Sequence, residues 1–118
     1  MDWELERSAA HLVGRPRGRV DETTWEAFSD ALTAAVREAA GAGGVPLVID
    51  LSGLDYMSSR GLRALTMAKR EAGDTVKITL AAPNDRMREI LAISRYDKLF
   101  DVTDEAPPAV AASGGPDA

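Results

Sequence analysis

Ser58 and Ser59 stand side by side between a short apolar run and the start of a helical pattern, a position where the chain could carry an anion. Hydroxyls at a helix N-terminus lie beside orphan N–H groups and the positive end of the helix dipole, and both favour negative charge. By residue type alone the two serines are helix caps, each worth about 1 kcal/mol. Hydrolysis fits poorly, because Ser59 lies outside any G-x-S-x-G pattern and the sole histidine, His11, is far off in sequence with no acid placed to orient it. Asp50 and Asp55 flank the same stretch and could in principle hold a divalent cation. Two carboxylates separated by an irregular loop are better explained by strand-end capping and loop hydrogen bonds, and no glycine loop of the P-loop type is present. The residues therefore predict no catalytic group, no metal and no cofactor.

Several elements must position the serines. Leu47, Val48, Ile49, Asp50 and Leu51 form an apolar run without alternation, the pattern of a strand buried on both faces. Ser52 and Gly53 break it, and residues 54–57 carry the chain across the end of a sheet to the serines. From Gly61 onward Leu62, Leu65 and Ala68 recur at helical spacing, with Lys69, Arg70 and Glu71 outside. Upstream, Trp3 with Leu5 and then His11-Leu12-Val13 predict two strands. Pro16 cannot donate to a ladder and predicts an irregularity before Gly18. Thr23 and Glu26 have capping-box spacing, and Trp25, Phe28, Leu32, Ala35, Val36 and Ala39 form one apolar stripe ended by Gly41, Gly43 and Gly44, so Trp25 and Phe28 are expected as core anchors. Downstream, Val76, Ile78 and Leu80 alternate as a half-buried strand, Pro83 and Asn84 open a third helix, and Leu99, Phe100 and Val102 give a last strand. The order strand, strand, helix, strand, helix, strand, helix, strand predicts an α/β fold, a central mixed sheet of about four or five strands with packed helices.

Asp50-Leu51-Ser52 ending a buried strand, followed by a loop and then Met57-Ser58-Ser59-Arg60-Gly61-Leu62, resembles the signature of STAS domains, specifically the bacterial anti-sigma factor antagonists of partner-switching pathways. The similarity extends to residues 16–21 and 88–100. The resemblance implies a STAS domain over residues 1–105 and a function in regulating transcription: docking on an ATP-binding anti-sigma factor serine kinase, reversed by phosphorylation of Ser59 and restored by a phosphatase. Ser58, where many members have aspartate, is the alternative acceptor. The implied docking residues are Gly18, Asp21, Asp55, Met57, Ser58, Ser59, Arg60, Gly61 and Leu62. Arg60 replaces a residue that is often small and could screen a phosphate. Arg95 stands where relatives commonly have a helix-ending glycine. A second function compatible with the same resemblance is a non-switching STAS subunit that docks constitutively in a lipid-transport or stressosome-type assembly.

Composition sets the remaining bounds. With 118 residues, 45% of them hydrophobic, the chain can build one core. Its net charge of -5 opposes a nucleic-acid backbone, and Arg15, Arg17 and Arg19 alternate as a solvated strand face. It has no cysteine, no signal-peptide pattern at the N-terminus and no apolar run near the roughly 20 residues that span a bilayer, which predicts a cytoplasmic protein. Free of the partner that the resemblance implies, it is expected to be a monomer. Residues 106–118, rich in Ala, Pro and Gly, read as a short helix or a disordered tail.

Overall fold

The computed structural model describes residues 1–107. Six strands and four helices alternate: β1 (Asp2–Arg7), β2 (Leu12–Val20), α1 (Trp25–Gly41), β3 (Leu47–Asp50), β4 (Leu54–Met57), α2 (Ser59–Ala72), β5 (Ile78–Ala81), α3 (Asp85–Ile93), α4 (Tyr96–Leu99) and β6 (Asp101–Thr103). The sheet runs β1-β2-β3-β5-β6, with β1 antiparallel to β2 and the other pairings parallel.

The stretch read as a connection across the sheet end is itself a strand. β4 pairs in parallel with β2 through Gly18, Arg19 and Val20, just beyond the segment Leu12–Gly14 that pairs with β3. Thus β3 and β4 are two sections of one lane beside β2, interrupted at residues 51–53. Gly18 partners Leu54 but Arg19 partners Tyr56, so Asp55 is the extra residue of a bulge and points out to solvent. A four-residue strand broken on both sides is too short to show a period, which is why the sequence reading missed it.

Pro16 lies between the two parallel-paired segments of β2, where its missing N–H breaks neither pairing. The irregularity falls at Gly18 (φ 99°) rather than before it. Arg15 also differs from the solvated face expected of it. It pairs with Asp50, donates to Glu6 Oε1 at 2.9 Å and to the Pro107 carbonyl at 2.8 Å, and keeps only 15% of its side chain exposed.

The core gathers Leu12, Val20, Phe28, Leu32, Leu47, Ile49, Leu54, Leu65 and Leu80 between the sheet and the paired helices α1 and α2. Phe28 is fully buried against Trp3, edge to face at 6.4 Å, whereas Trp25 is only partly buried and packs on the core from its rim. The capping box is not formed. Thr24, not Thr23, precedes the helix, and the turn is held instead by Asp21, whose carboxylate accepts from the Thr23 N–H at 3.0 Å and the Thr23 hydroxyl at 2.8 Å. Asn84 caps α3, accepting from the Met87 N–H at 2.9 Å. Arg95 ends the helical run in the left-handed region (φ 65°), and one further turn, α4, intervenes before β6. Ala106 and Pro107 have no regular structure, and the remainder of the expected tail, 108–118, lies outside the described residues.

Candidate functional site

The end of β2 and the start of α2 are joined directly. Ser58 N–H donates to the Val20 carbonyl at 2.8 Å, which sets the 18–21 turn beside the serines. Ser58 is the N-cap: its backbone is extended, its hydroxyl accepts from the Gly61 N–H at 3.4 Å, and 7% of the residue is exposed. Ser59, the first helical residue, is exposed. Two adjacent hydroxyls thus have different environments, one turned into the helix end and the other into solvent.

The expected docking residues divide in the same way. Asp55, Ser59 and Arg60 are exposed, Gly18, Asp21 and Leu62 are half-buried, and Met57, Ser58 and Gly61 are buried. A Cβ on Gly61 would lie 2.5 Å from Met57 Cγ and 2.7 Å from Val20 Cγ1, so what approaches this glycine closely is the domain's own core. Asp55 and Ser59 open onto different depressions. Asp55 shares one of about 550 Å³ with Arg19, Asn84, Asp85 and Arg86. Ser59 shares another of about 460 Å³ with Arg63, Thr66, Met67, Arg70 and Tyr96.

Arg60 turns away from the second depression. Its guanidinium lies 3.4 Å from Glu22 and 5.4 Å from the centroid of the Trp25 ring, on the α1 side. Arg63, one turn beyond Ser59, lines the second depression and also a neighbouring one of about 300 Å³ that it shares with Trp25, Ser29 and Arg60 on the α1 side; across the depression that Ser59 opens, the Tyr96 hydroxyl of α4 is held by Thr66 at 2.8 Å. Sequence reasoning passed over Arg63, although the spacing of 59, 63, 66 and 70 marks one helix face. Asp21, beside the site, is held below the ordinary aspartate range, first by the Thr23 hydroxyl and backbone hydrogen bonds and further by Thr24 and Arg19.

Hydrolytic chemistry finds no support in this geometry. His11 precedes β2 and Val20 ends it, a separation of roughly 30 Å at 3.3 Å per residue, so the imidazole cannot serve Ser59. Asp50 is taken up by Arg15 and by the Ser52 N–H at 3.0 Å, the strand-end role expected of it. Among the described residues no cluster of three or more His, Asp or Glu is placed to hold a metal, and no helix is long and apolar enough to cross a membrane.

The site is thus an exposed serine that opens a helix at one end of a mixed sheet and is held in place by buried neighbours. The chain belongs to the STAS-domain family: the family model described as "Mlab, STAS domain" matches residues 4–102. No curated protein matches the chain. Among solved structures, an anti-sigma factor antagonist from Mycobacterium paratuberculosis is 24% identical over 94% of this chain and 92% of its own, with a TM-score of 0.79. The anti-sigma factor antagonist SpoIIAA in its unphosphorylated form is 19% identical over 90% of each chain, with a TM-score of 0.64. The Bacillus cell fate determinant SpoIIAA in its phosphorylated form is 20% identical over 86% of this chain and 90% of its own, with a TM-score of 0.61.

Proposed function

We propose that this chain is an anti-sigma factor antagonist that docks on a serine kinase and is released when Ser59 is phosphorylated. The observation that carries the reading is the division between the serines. Ser59 is exposed at the first position of α2, whereas Ser58 is 7% exposed and its hydroxyl caps the helix. A kinase can therefore reach Ser59 with the fold intact. Similarity to a protein studied in phosphorylated and unphosphorylated forms supports the same reading.

In the step proposed, the Ser59 Oγ forms a bond to the γ-phosphorus of ATP held by the kinase with its own magnesium. The bond from that phosphorus to the ADP oxygen breaks, and the hydroxyl proton passes to a base on the kinase. The antagonist supplies the acceptor and its position and catalyses nothing. The product carries about -1.5 to -2 added charge at the docking surface, and desolvating it there opposes rebinding. Hydrolysis by a phosphatase restores the docking form, and docking frees the sigma factor that the kinase otherwise holds.

The test is incubation of the purified chain and its Ser59→Ala variant with a candidate anti-sigma factor kinase and ATP, followed by mass spectrometry and affinity measurement. Phosphate on Ser59, lost in Ser59→Ala, together with weaker binding of the phosphorylated chain, is the expected result. Tight binding without phosphate transfer would instead identify a constitutively docked subunit.

A further inference from the structure

We propose that Arg63 is the receptor for the phosphate carried by Ser59, so that the modified serine folds into the groove between α2 and α4; this rests on the reading of Ser59 as the acceptor. Most arginines in this acidic chain already have a carboxylate partner: Arg7 with Glu38, Arg15 with Glu6 and Asp50, Arg17 with Glu4, Arg19 with Asp21, Arg37 with Glu71, Arg60 with Glu22 and Arg88 with Asp104. Arg63 has none among the described residues, and it lines the depression that Ser59 opens.

Helical spacing places Arg63 about 6 Å along the axis from Ser59 on the same face, within reach of a guanidinium fork. Arg70, which lines the same depression, lies roughly 16 Å along the axis, out of reach of a group on Ser59. Arg60 is nearer in sequence but is turned toward α1, occupied by Glu22 and stacked on Trp25. The first turn of α2 contains no acidic residue, so a phosphate there meets the dipole and the arginine without a competing carboxylate in that turn. The charged and titratable groups near the phosphate are Arg63, which lies between the depressions on the two sides, Tyr96 with the more distant Arg70 toward α4, Arg60 with Glu22 toward α1, and Asp21 with Arg19 in the turn beside the serines. Arg63 thereby fixes the direction in which the new charge points and how much of it a partner meets.

The test installs phosphoserine at position 59 of the full chain by genetic encoding and follows the phosphorus resonance through its second ionisation near about pH 6. A cation bound to the dianion lowers that ionisation. The wild-type chain should therefore titrate about half a pH unit below Arg63→Gln, while Arg60→Gln shifts by less than half as much. Arg63 is exposed, so the substitution leaves the core alone. Equal titration of wild type and Arg63→Gln, or a larger effect of Arg60→Gln, would overturn the assignment. The measurement uses the isolated chain and needs no kinase. If the kinase binds phosphorylated and unmodified chains equally while the titration shifts as expected, the switching reading fails and the receptor stands; the reverse pair of results removes the receptor and leaves the switch.

Discussion

Val20 holds the start of α2 in two ways: its carbonyl accepts from the Ser58 N–H at 2.8 Å, and its side chain occupies the space a Cβ on Gly61 would need. The helix can sit this close to β2 because residue 61 is glycine. Alanine at 61 gains about 1 kcal/mol in helix propensity, but displacing the buried side chains of Val20 and Met57 costs about 1–3 kcal/mol. Gly61→Ala is therefore expected to lose up to about 2 kcal/mol in urea denaturation, and Gly61→Leu to lose the fold. An unchanged midpoint for Gly61→Ala would mean that the two side chains can move aside.

Arg95 bears on the other wall of the Ser59 groove, since its left-handed backbone (φ 65°) turns the chain from α3 into the α4 turn that carries Tyr96. A residue with a Cβ pays roughly 1–2 kcal/mol for that conformation, and glycine is freer by about 0.5–1 kcal/mol in the unfolded chain. Arg95→Gly should accordingly be more stable than wild type by about 0.5–1 kcal/mol, and Arg95→Val, whose branched Cβ tolerates positive φ least, should be less stable. Thermal or urea unfolding of the three proteins checks the order; glycine below arginine would show that the arginine side chain contributes more than the strain removes.

How much of this was legible in the sequence follows the range of the forces involved. The helix stripe Trp25, Phe28, Leu32, Ala35, Val36 and Ala39 and the apolar run Leu47–Leu51 are patterns within one element, so the helix and the strand were both legible, although Trp25 sits at the rim of the core and the strand ends at Asp50. Arg15 was misread because its partners, Glu6 on β1, Asp50 on β3 and Pro107 after β6, come together only when the sheet forms. Similarly, Thr23 and Glu26 have the spacing of a capping box, yet Asp21 takes the Thr23 hydroxyl first. At the site, the sequence placed Ser59 at a helix start, but which arginine faces it depends on α1 and α4. Glu22 and Trp25 draw Arg60 to one side, and the groove bounded by Tyr96 lies on the other.

Asp21 gives the site's supporting turn a pH dependence. Its carboxyl is held below the ordinary value of 3.8 by hydrogen bonds from Thr23 and Thr24, with Arg19 adding attraction. A carboxyl whose folded value is depressed contributes stability that is fully present above its unfolded value and is lost as pH falls through the folded one. Asparagine keeps an oxygen acceptor but cannot carry the charge. Wild type should therefore exceed Asp21→Asn in stability at neutral pH, with the difference shrinking as pH falls below 3.8. Urea denaturation of both proteins across that range measures it; a constant difference would show that the hydrogen bonds do not depend on the charge.

The two serines should separate stability from modification. Ser58 is buried, its hydroxyl accepts from the Gly61 N–H and its backbone carbonyl accepts from the Leu62 N–H at 3.0 Å, so only the hydroxyl contribution is lost on truncation. The hydroxyl contact is long, at 3.4 Å, which places the expected cost of Ser58→Ala at the lower end of the cap range, about 0.5–1 kcal/mol. Ser59 is exposed at the first helical position, where alanine has the better helix propensity, so Ser59→Ala should be as stable as wild type or more stable by a few tenths of about 1 kcal/mol. Phosphate acceptance should run the other way: Ser58→Ala remains a substrate of the kinase and Ser59→Ala does not. Denaturation and mass spectrometry on the same preparations decide both halves. Phosphate retained in Ser59→Ala and lost in Ser58→Ala would require the helix end to open before transfer, and would move the acceptor to the residue that caps it.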